Sequence, residues 1–442
     1  MKTKLFALLL ILPMFAFCTP DNVEPNGPDT EQQDTTQTPP ADTTQQESPT
    51  PPSDNVITPE EPQIELPTEI KSGDRVLACN PNVEKFLTEV TYPDRDYSYT
   101  KIMEYYGGYN GMLGEGETVK SDKPSEYSIR WEANEAAGKL TLRLEDTTWG
   151  WSAEESINAG SYYVNITNLC PNAHYTYSVK GEDGTVMTEG EFDTYGSIHQ
   201  VYFKHSVRNA RDMGGWKTYD GTKMVKYRQI YRGGRLETST ISKSGKAMLL
   251  NEGIRAQLDI RSDSDWNTEP TLPELAFCAP NIKTGGDSML KQDGGEKTRM
   301  CMQFIIDCLK ENKPVYFHCS LGRDRTGTLG MIILGLLDVV EGDISKEYEV
   351  TYFSPRGWSI ATSESYTKFQ NYRTKWAYAP AAEYIWEGKY PNNTYTFNDD
   401  VNSPDYDKFS VRVEKYLLDI GISQEDIDAY REMMLIDVPA AE

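Results

Sequence analysis

Residues 315–340, VYFHCSLGRDRTGTLGMIILGLLDVV, constrain the fold more than any other stretch of this chain. Val315-Tyr316-Phe317 is a short apolar run, the pattern of a buried strand, and Lys313-Pro314 ends the helix expected before it. From Thr326 to Val340 the chain is apolar nearly all round, so a helix there has no face to give to water and belongs in a core. A buried strand leading through a loop into a buried helix places this half of the chain in the α/β class. The loop holds Cys319 and, six places on, Arg325. A loop feeding a helix N-terminus points several backbone N–H groups inward, beside the positive end of the helix dipole. Such a nest binds a tetrahedral oxyanion and lowers the pKa of a thiol at its centre. Gly322 permits the tight curvature, and Arg325 can chelate two phosphate oxygens in a fork. In a chain with seven cysteines a C-x5-R spacing alone says little. Here it comes as H-C-x-x-G-x-x-R-T-G between strand and buried helix, which points to an anion loop rather than a core cysteine.

HCSLGRDRTG resembles the signature of the cysteine-dependent protein tyrosine and dual-specificity phosphatase superfamily. More narrowly, NARDMGG (209–215), YRQIYRGGRL (227–236) and QLDIRSD (257–263) are similar to motifs of secreted bacterial tyrosine phosphatases that also act on phosphoinositides. The resemblance covers roughly 200–435. It implies that Cys319 is the nucleophile, that Arg325 and the loop amides of Ser320, Leu321 and Gly322 hold the phosphate, that Thr326 hydrogen-bonds the sulfur, and that His318 orders the loop from behind. It implies no metal and no other cofactor. Arg323 stands where related lipid-acting phosphatases carry a lysine that reaches a second phosphate, and Arg211 and Asp212 are expected to line the substrate site. The proton donor is assigned to Asp324, because the resembled bacterial family carries an aspartate directly before the loop arginine. Asp287 and Asp293, 32 and 26 residues before the nucleophile, are the alternatives, at the spacing of a separate acid loop. Asp263 and Asp265 are further candidates, and Asp259 to Asp263 are expected to end a strand and brace the loop. Residues 204–235 hold nine Lys and Arg against Asp212 and Asp220, a local reversal that reads as a surface for polyanions or as cations paired internally.

The remainder of the 442 residues is organised around this half. The formal charge of −24 argues against a nucleic-acid partner, since such binding neutralises phosphates with cations. Twelve Asp and Glu and no Lys or Arg lie between Thr19 and Ile70, in a Pro, Thr and Gln background that cannot bury a core, so 19–70 is expected to be a disordered spacer. Residues 1–18 read as an export signal: Lys2 and Lys4, then an apolar run from Leu5 to Phe17 ending at Cys18. That cysteine resembles the acylated residue of bacterial lipoproteins, although Phe17 stands where the motif carries a small residue. The expected place is the cell envelope, anchored to the membrane by lipid and facing the periplasm or cell surface.

Residues 71–117 form an unassigned segment. From 118 to 197 the apolar period is two, as in Leu140, Leu142 and Leu144, and Tyr175, Tyr177 and Val179 run through Gly-Glu-Asp-Gly to Val186 and Phe192. This predicts a β-sandwich, and NITNLCPNAHYTYSV resembles a segment of fibronectin type III modules. Residues 198–442 make the α/β domain. Its Met300–Lys310 stretch predicts a helix with Met300, Phe304, Ile305, Cys308 and Leu309 on one face. The cysteine spacings predict no particular disulfide, and with no C-x-x-C pair and four histidines no zinc constellation stands out. The expected activity is hydrolysis of phosphotyrosine, phosphoserine or phosphothreonine, or of phosphoinositides. The rivals are an inositol polyphosphate phosphatase, a non-catalytic binding protein working through the sandwich, and a sulfur transferase or arsenate reductase.

Overall fold

The computed structural model describes residues 65–95, 123–204, 207–239, 241–354 and 378–439, all within one unit, Ile64–Glu442. The expected export segment with Cys18, the spacer as far as residue 64, and residues 96–117 of the unassigned segment lie outside the described residues. In chain order the first eight strands are β1 (Thr68–Glu69), β2 (Arg75–Leu77), β3 (Tyr127–Arg130), β4 (Leu140–Asp146), β5 (Trp151–Ile157), β6 (Tyr163–Ile166), β7 (His174–Gly181) and β8 (Val186–Tyr195). Then come β9 (Arg211–Asp212), β10 (Lys223–Val225), β11 (Ile230–Gly233), β12 (Ala256–Asp259), β13 (Ala276–Cys278), β14 (Val315–His318) and β15 (Leu435–Asp437). The α-helices are α1 (Pro81–Glu89), α2 (Lys243–Asn251), α3 (Asp287–Lys291), α4 (Glu296–Lys310), α5 (Asp324–Leu336), α6 (Glu341–Val350), α7 (Tyr378–Glu387), α8 (Phe409–Asp419) and α9 (Gln424–Met434).

The first eight strands form two sheets, ordered β1-β3-β6 and β2-β8-β7-β4-β5. The two-residue alternation of β4 buries Leu140, Leu142 and Leu144, and these join Ile129, Val164, Tyr175, Val179 and Phe192 in one apolar cluster shared by both sheets. The hairpin expected across 181–184 forms between β7 and β8. Part of the stretch expected as spacer is structured. Thr68–Glu69 pairs in parallel with Tyr127–Ser128, and Ile70 is buried in the shared cluster.

The second half is built on a five-stranded sheet ordered β13-β12-β14-β11-β9, parallel except for its edge strand β9. β14 lies at its centre and is buried on both faces, as a central parallel strand must be. One face packs on the cluster that contains α4, α5 and α8, and the other on Phe203, Leu236, Leu249 and Leu272. Every residue of α5 from Thr326 to Leu336 is buried, in keeping with its all-round apolar sequence. Helix α4 buries Ile305, Cys308 and Leu309 as expected, but Met300 and Phe304 are only half-buried and Cys301, Met302 and Ile306 complete the inner face. At the C-terminal end Ser423 caps α9 by accepting from the Asp426 backbone N–H at 3.1 Å, with Ile422 and Ile427 buried beside it.

The two halves interlock. The segment 71–117 supplies β2 to the five-stranded N-terminal sheet and then α1, whose Val83, Phe86 and Leu87 are buried in the core of the second half. Phe86 and Phe353 rings lie 5.5 Å apart. From the other side Met224 and Tyr227 enter the N-terminal cluster, and the Trp151 indole donates to the Asn251 carbonyl at 2.6 Å. Among the described residues no helix is long and apolar enough to cross a membrane.

Candidate active site

Strands β11, β12 and β14 run in parallel and end side by side at Gly233, Asp259 and His318. Their outgoing loops therefore gather at one edge of the sheet, where open parallel sheets place their sites. The loop after β14, Cys319 to Arg323, leads into α5, which starts at Asp324. Gly322 sits at φ +69°, and a Cβ there would fall on the Gly233 carbonyl, so the loop packs backbone against backbone on Gly233-Gly234.

Cys319 is 3% exposed. Burial alone would raise its pKa, but the Arg325 guanidinium and the Thr326 hydroxyl outweigh burial and the opposing Asp324 charge, and the net direction is down. Thr326 Oγ1 is buried and has no hydrogen-bond partner of its own among the described residues, which leaves it to the sulfur. The other five described cysteines behave oppositely. Burial pushes Cys79 up to about 12, Cys278 and Cys308 up to about 11, and Cys170 and Cys301 well above the usual thiol value. Among the described cysteines only Cys319 has its pKa lowered.

Arg325 donates from Nη1 to the Ile282 carbonyl at 3.0 Å, which ties it to the loop before α3. His318 is wholly buried behind Cys319. Gln257 fixes its tautomer: the Gln257 carbonyl accepts from the Thr271 N–H at 2.8 Å, so its amide N–H faces His318 Nε2 at 3.0 Å. Nδ1–H is left to point at the Cys319 carbonyl, 3.4 Å away. Burial holds the imidazole neutral, with its pKa lowered to about 4.

The loop is braced from beneath by a buried network. Gly322 O accepts from Asn209 Nδ2 at 2.9 Å and from Arg232 Nη2 at 2.8 Å. Glu347 on α6 pairs with both Arg232 and Arg211, the latter at 2.7 Å. Arg211 also donates to Asn209, completing the ring. The expectation that Arg211 and Asp212 line the substrate site is therefore corrected. Arg211 is buried and acts through Asn209 and Glu347. Asp212 is buried too, accepting from the Gly214 N–H at 2.9 Å, from the Arg228 N–H at 2.5 Å, and from His199. Asn209, Arg232 and Glu347 were missed as loop supports. The first two lie within the motifs quoted above, whereas Glu347 carries no local mark.

Arg323 also differs from expectation. Instead of reaching outward it is buried, and its Nε contacts Asp324 at 3.1 Å. Asp324 opens α5, only partly exposed. Asp287 pairs with Lys291 at 2.8 Å and Asp293 faces Lys297 at 3.8 Å, and neither hydrogen-bonds the Cys319 loop. Their neighbour Gly285 is what touches it, since a Cβ there would meet the Asp324 carbonyl carbon at 2.9 Å. Asp259 ends β12 and clamps the buried Arg261, while Asp265 accepts from the Ser320 hydroxyl. Asp263 bonds Asn281. Of the nine cations in 204–235, Arg211, Arg228 and Arg232 are buried in ion pairs, so that cluster is in part internal. Among the described residues no group of three or more His, Cys, Asp or Glu could hold a metal ion.

The family model described as "Tyrosine phosphatase family" matches residues 204–436, more than half of the chain. The chain belongs to the tyrosine phosphatase family. The matched region takes in the sheet β9 to β14, the loop and α5. A Cupriavidus necator protein provisionally named a tyrosine-protein phosphatase is 24% identical over 173 residues, 34% of this chain and 62% of that one. The chain thus spans under two thirds of that relative. Among solved structures, similarity is found to the core catalytic domain of the S. cerevisiae PP-IP phosphatase SIW14 in complex with citrate, at 15% identity and a TM-score of 0.22, over 33% of this chain and 82% of that one. Similarity is also found to a serine-for-cysteine variant of P. aeruginosa TpbA in complex with phosphotyrosine, at 15% identity and a TM-score of 0.20, over 38% and 98%.

Proposed function

We propose that this tyrosine phosphatase family member hydrolyses phosphoric monoesters through a phosphocysteine intermediate on Cys319, acting on phosphotyrosine, on phosphoserine or phosphothreonine, and on phosphoinositides. The observation that carries the reading is Cys319, the one described cysteine whose pKa is lowered, beside Arg325 and Thr326 in a loop that feeds a helix whose dipole favours anions. In the first step the Cys319 sulfur attacks phosphorus as the bond to the leaving oxygen breaks, and Asp324 gives that oxygen a proton. In the second, water attacks the same phosphorus and gives a proton to Asp324. The sulfur leaves as thiolate, eased by the Thr326 hydroxyl, and inorganic phosphate departs. Arg325 and the loop amides hold the non-bridging oxygens throughout. No step in this scheme asks for a metal.

Turnover of para-nitrophenyl phosphate in the presence of EDTA tests this. Wild type is expected to be active and Cys319→Ser inactive, whereas activity that survives in the serine variant or requires a divalent cation would sink the mechanism. The acid is tested by leaving group. In kcat/KM, which reports the first step, Asp324→Asn is expected to lose roughly 10²–10⁴-fold on an alkyl phosphate and much less on para-nitrophenyl phosphate, whose leaving group needs little protonation. Full rate on the alkyl phosphate, with a loss in Asp287→Asn or Asp293→Asn, would move the role upstream.

The reading extends to the rest of the chain. The two N-terminal sheets are taken as a fibronectin type III-like sandwich, and residues 1–18 as an export segment with Cys18 as its lipid-bearing end. The acidic stretch then spaces the enzyme from the membrane. Two sheets sharing one apolar cluster support the first of these, and the basic start followed by an apolar run supports the second.

A further inference from the structure

Besides Arg325, the guanidinium groups of Arg323, Arg232 and Arg235 stand near the Cys319 loop. Arg323 and Arg232 are buried and committed, the one against Asp324 and the other to Glu347 and Gly322 O. Arg235 is different. Its backbone N–H donates to the Ser320 carbonyl at 3.2 Å, which fixes it beside the residue that follows the nucleophile. Its side chain is nonetheless 42% exposed, with contacts of 3.7 Å to Glu237 and 3.5 Å to Asp265. Asp265, 37% exposed, accepts from the Ser320 hydroxyl with Oδ2, while its Oδ1 faces Arg235 at 3.5 Å and the buried Arg261 at 3.6 Å. The Arg235 guanidinium is thus held at the rim of the loop, one carboxylate away from Ser320.

The geometry points to Arg235 as a specificity-determining residue that takes a second phosphate, carried close to the scissile one on the same polyol. This rests on the phosphatase reading above. An exposed ion pair contributes little, so an incoming phosphate can take over the Arg235 fork at small cost. Asp265 then keeps the Ser320 hydroxyl and Arg261, and the loop stays in place. In a chain of net charge −24 a locally placed guanidinium is what lets a multiply charged substrate approach. A second phosphate reaches the same group whether the polyol is free or forms a lipid headgroup.

The test uses the full chain, comparing wild type with Arg235→Gln and Arg235→Lys. The readout is the ratio of kcat/KM for a vicinal inositol bisphosphate to that for the matching monophosphate. Each substrate is offered free in solution and as the lipid headgroup in mixed micelles. Arg235→Gln is expected to lower this ratio roughly tenfold or more, and Arg235→Lys to restore part of it. A fall in both arms, or in one, supports the subsite and identifies the source it serves. An unchanged ratio in both arms, with or without a common loss of rate, overturns it. The phosphatase reading fails separately, if Cys319→Ser still turns over the monophosphate.

Discussion

His318 shows how one side chain ties the chemistry of the loop to the pH dependence of the fold. Its pKa falls from the usual 6.5 to about 4, first because burial opposes the charged ring, with Asp259 pulling the other way and Arg261 adding to the fall. The unfolded chain therefore takes up this proton before the folded one does. Stability from this group is complete above about pH 6.5 and is lost as pH falls toward 4, by about 3 kcal/mol in all. Denaturant titrations across that window should show the slope in wild type and a flatter line in His318→Gln, and equal slopes would remove His318 from the account. Residue identity alone placed His318, Cys319, Arg325 and Thr326 together, because a ten-residue spacing between a strand and a helix fixes where they sit. It misplaced Arg211 and Arg323. An arginine inside a recognisable motif carries no local mark of whether it faces substrate or a buried carboxylate 136 residues away.

At the scale of elements, the loop is only as firm as what lies beneath it. Strands β9 and β11, helix α6 and the turn at Asn209 meet around Glu347, which compensates two buried guanidinium groups, Arg211 and Arg232. Glu347→Gln leaves both without a full counter-charge and is expected to cost about 3–5 kcal/mol, read as a lowered denaturation midpoint with a matching loss of rate. A change below about 1 kcal/mol would mean that Asn209 and the Gly322 contacts suffice without it. The central strand and the core helix were legible because both are marked by unbroken apolar sequence. The inner face of α4 was legible only in part, at Ile305, Cys308 and Leu309, since its two flanks are similarly apolar and tertiary packing chose between them.

Across the whole molecule, the described chain does not divide at residue 198. Helix α1 precedes the N-terminal sheets in sequence yet packs in the phosphatase core, and Trp151 of the sheets reaches the second half at Asn251. Phe86→Ala should therefore destabilise the catalytic half by about 3–5 kcal/mol, seen as an earlier loss of activity on heating. Thermal inactivation unchanged from wild type would instead make α1 an appendage of the sheets. Nothing near residue 86 foretells this docking, because its partner Phe353 lies far along the chain. The central claim concerns one covalent bond. Asp324→Asn should slow the second step, so that rapid acid quench after mixing with an aryl phosphate, followed by mass spectrometry of the digested protein, finds a phosphoryl group on the peptide containing Cys319. A phosphoryl group on another residue, or none under conditions where turnover is measured, would contradict the account.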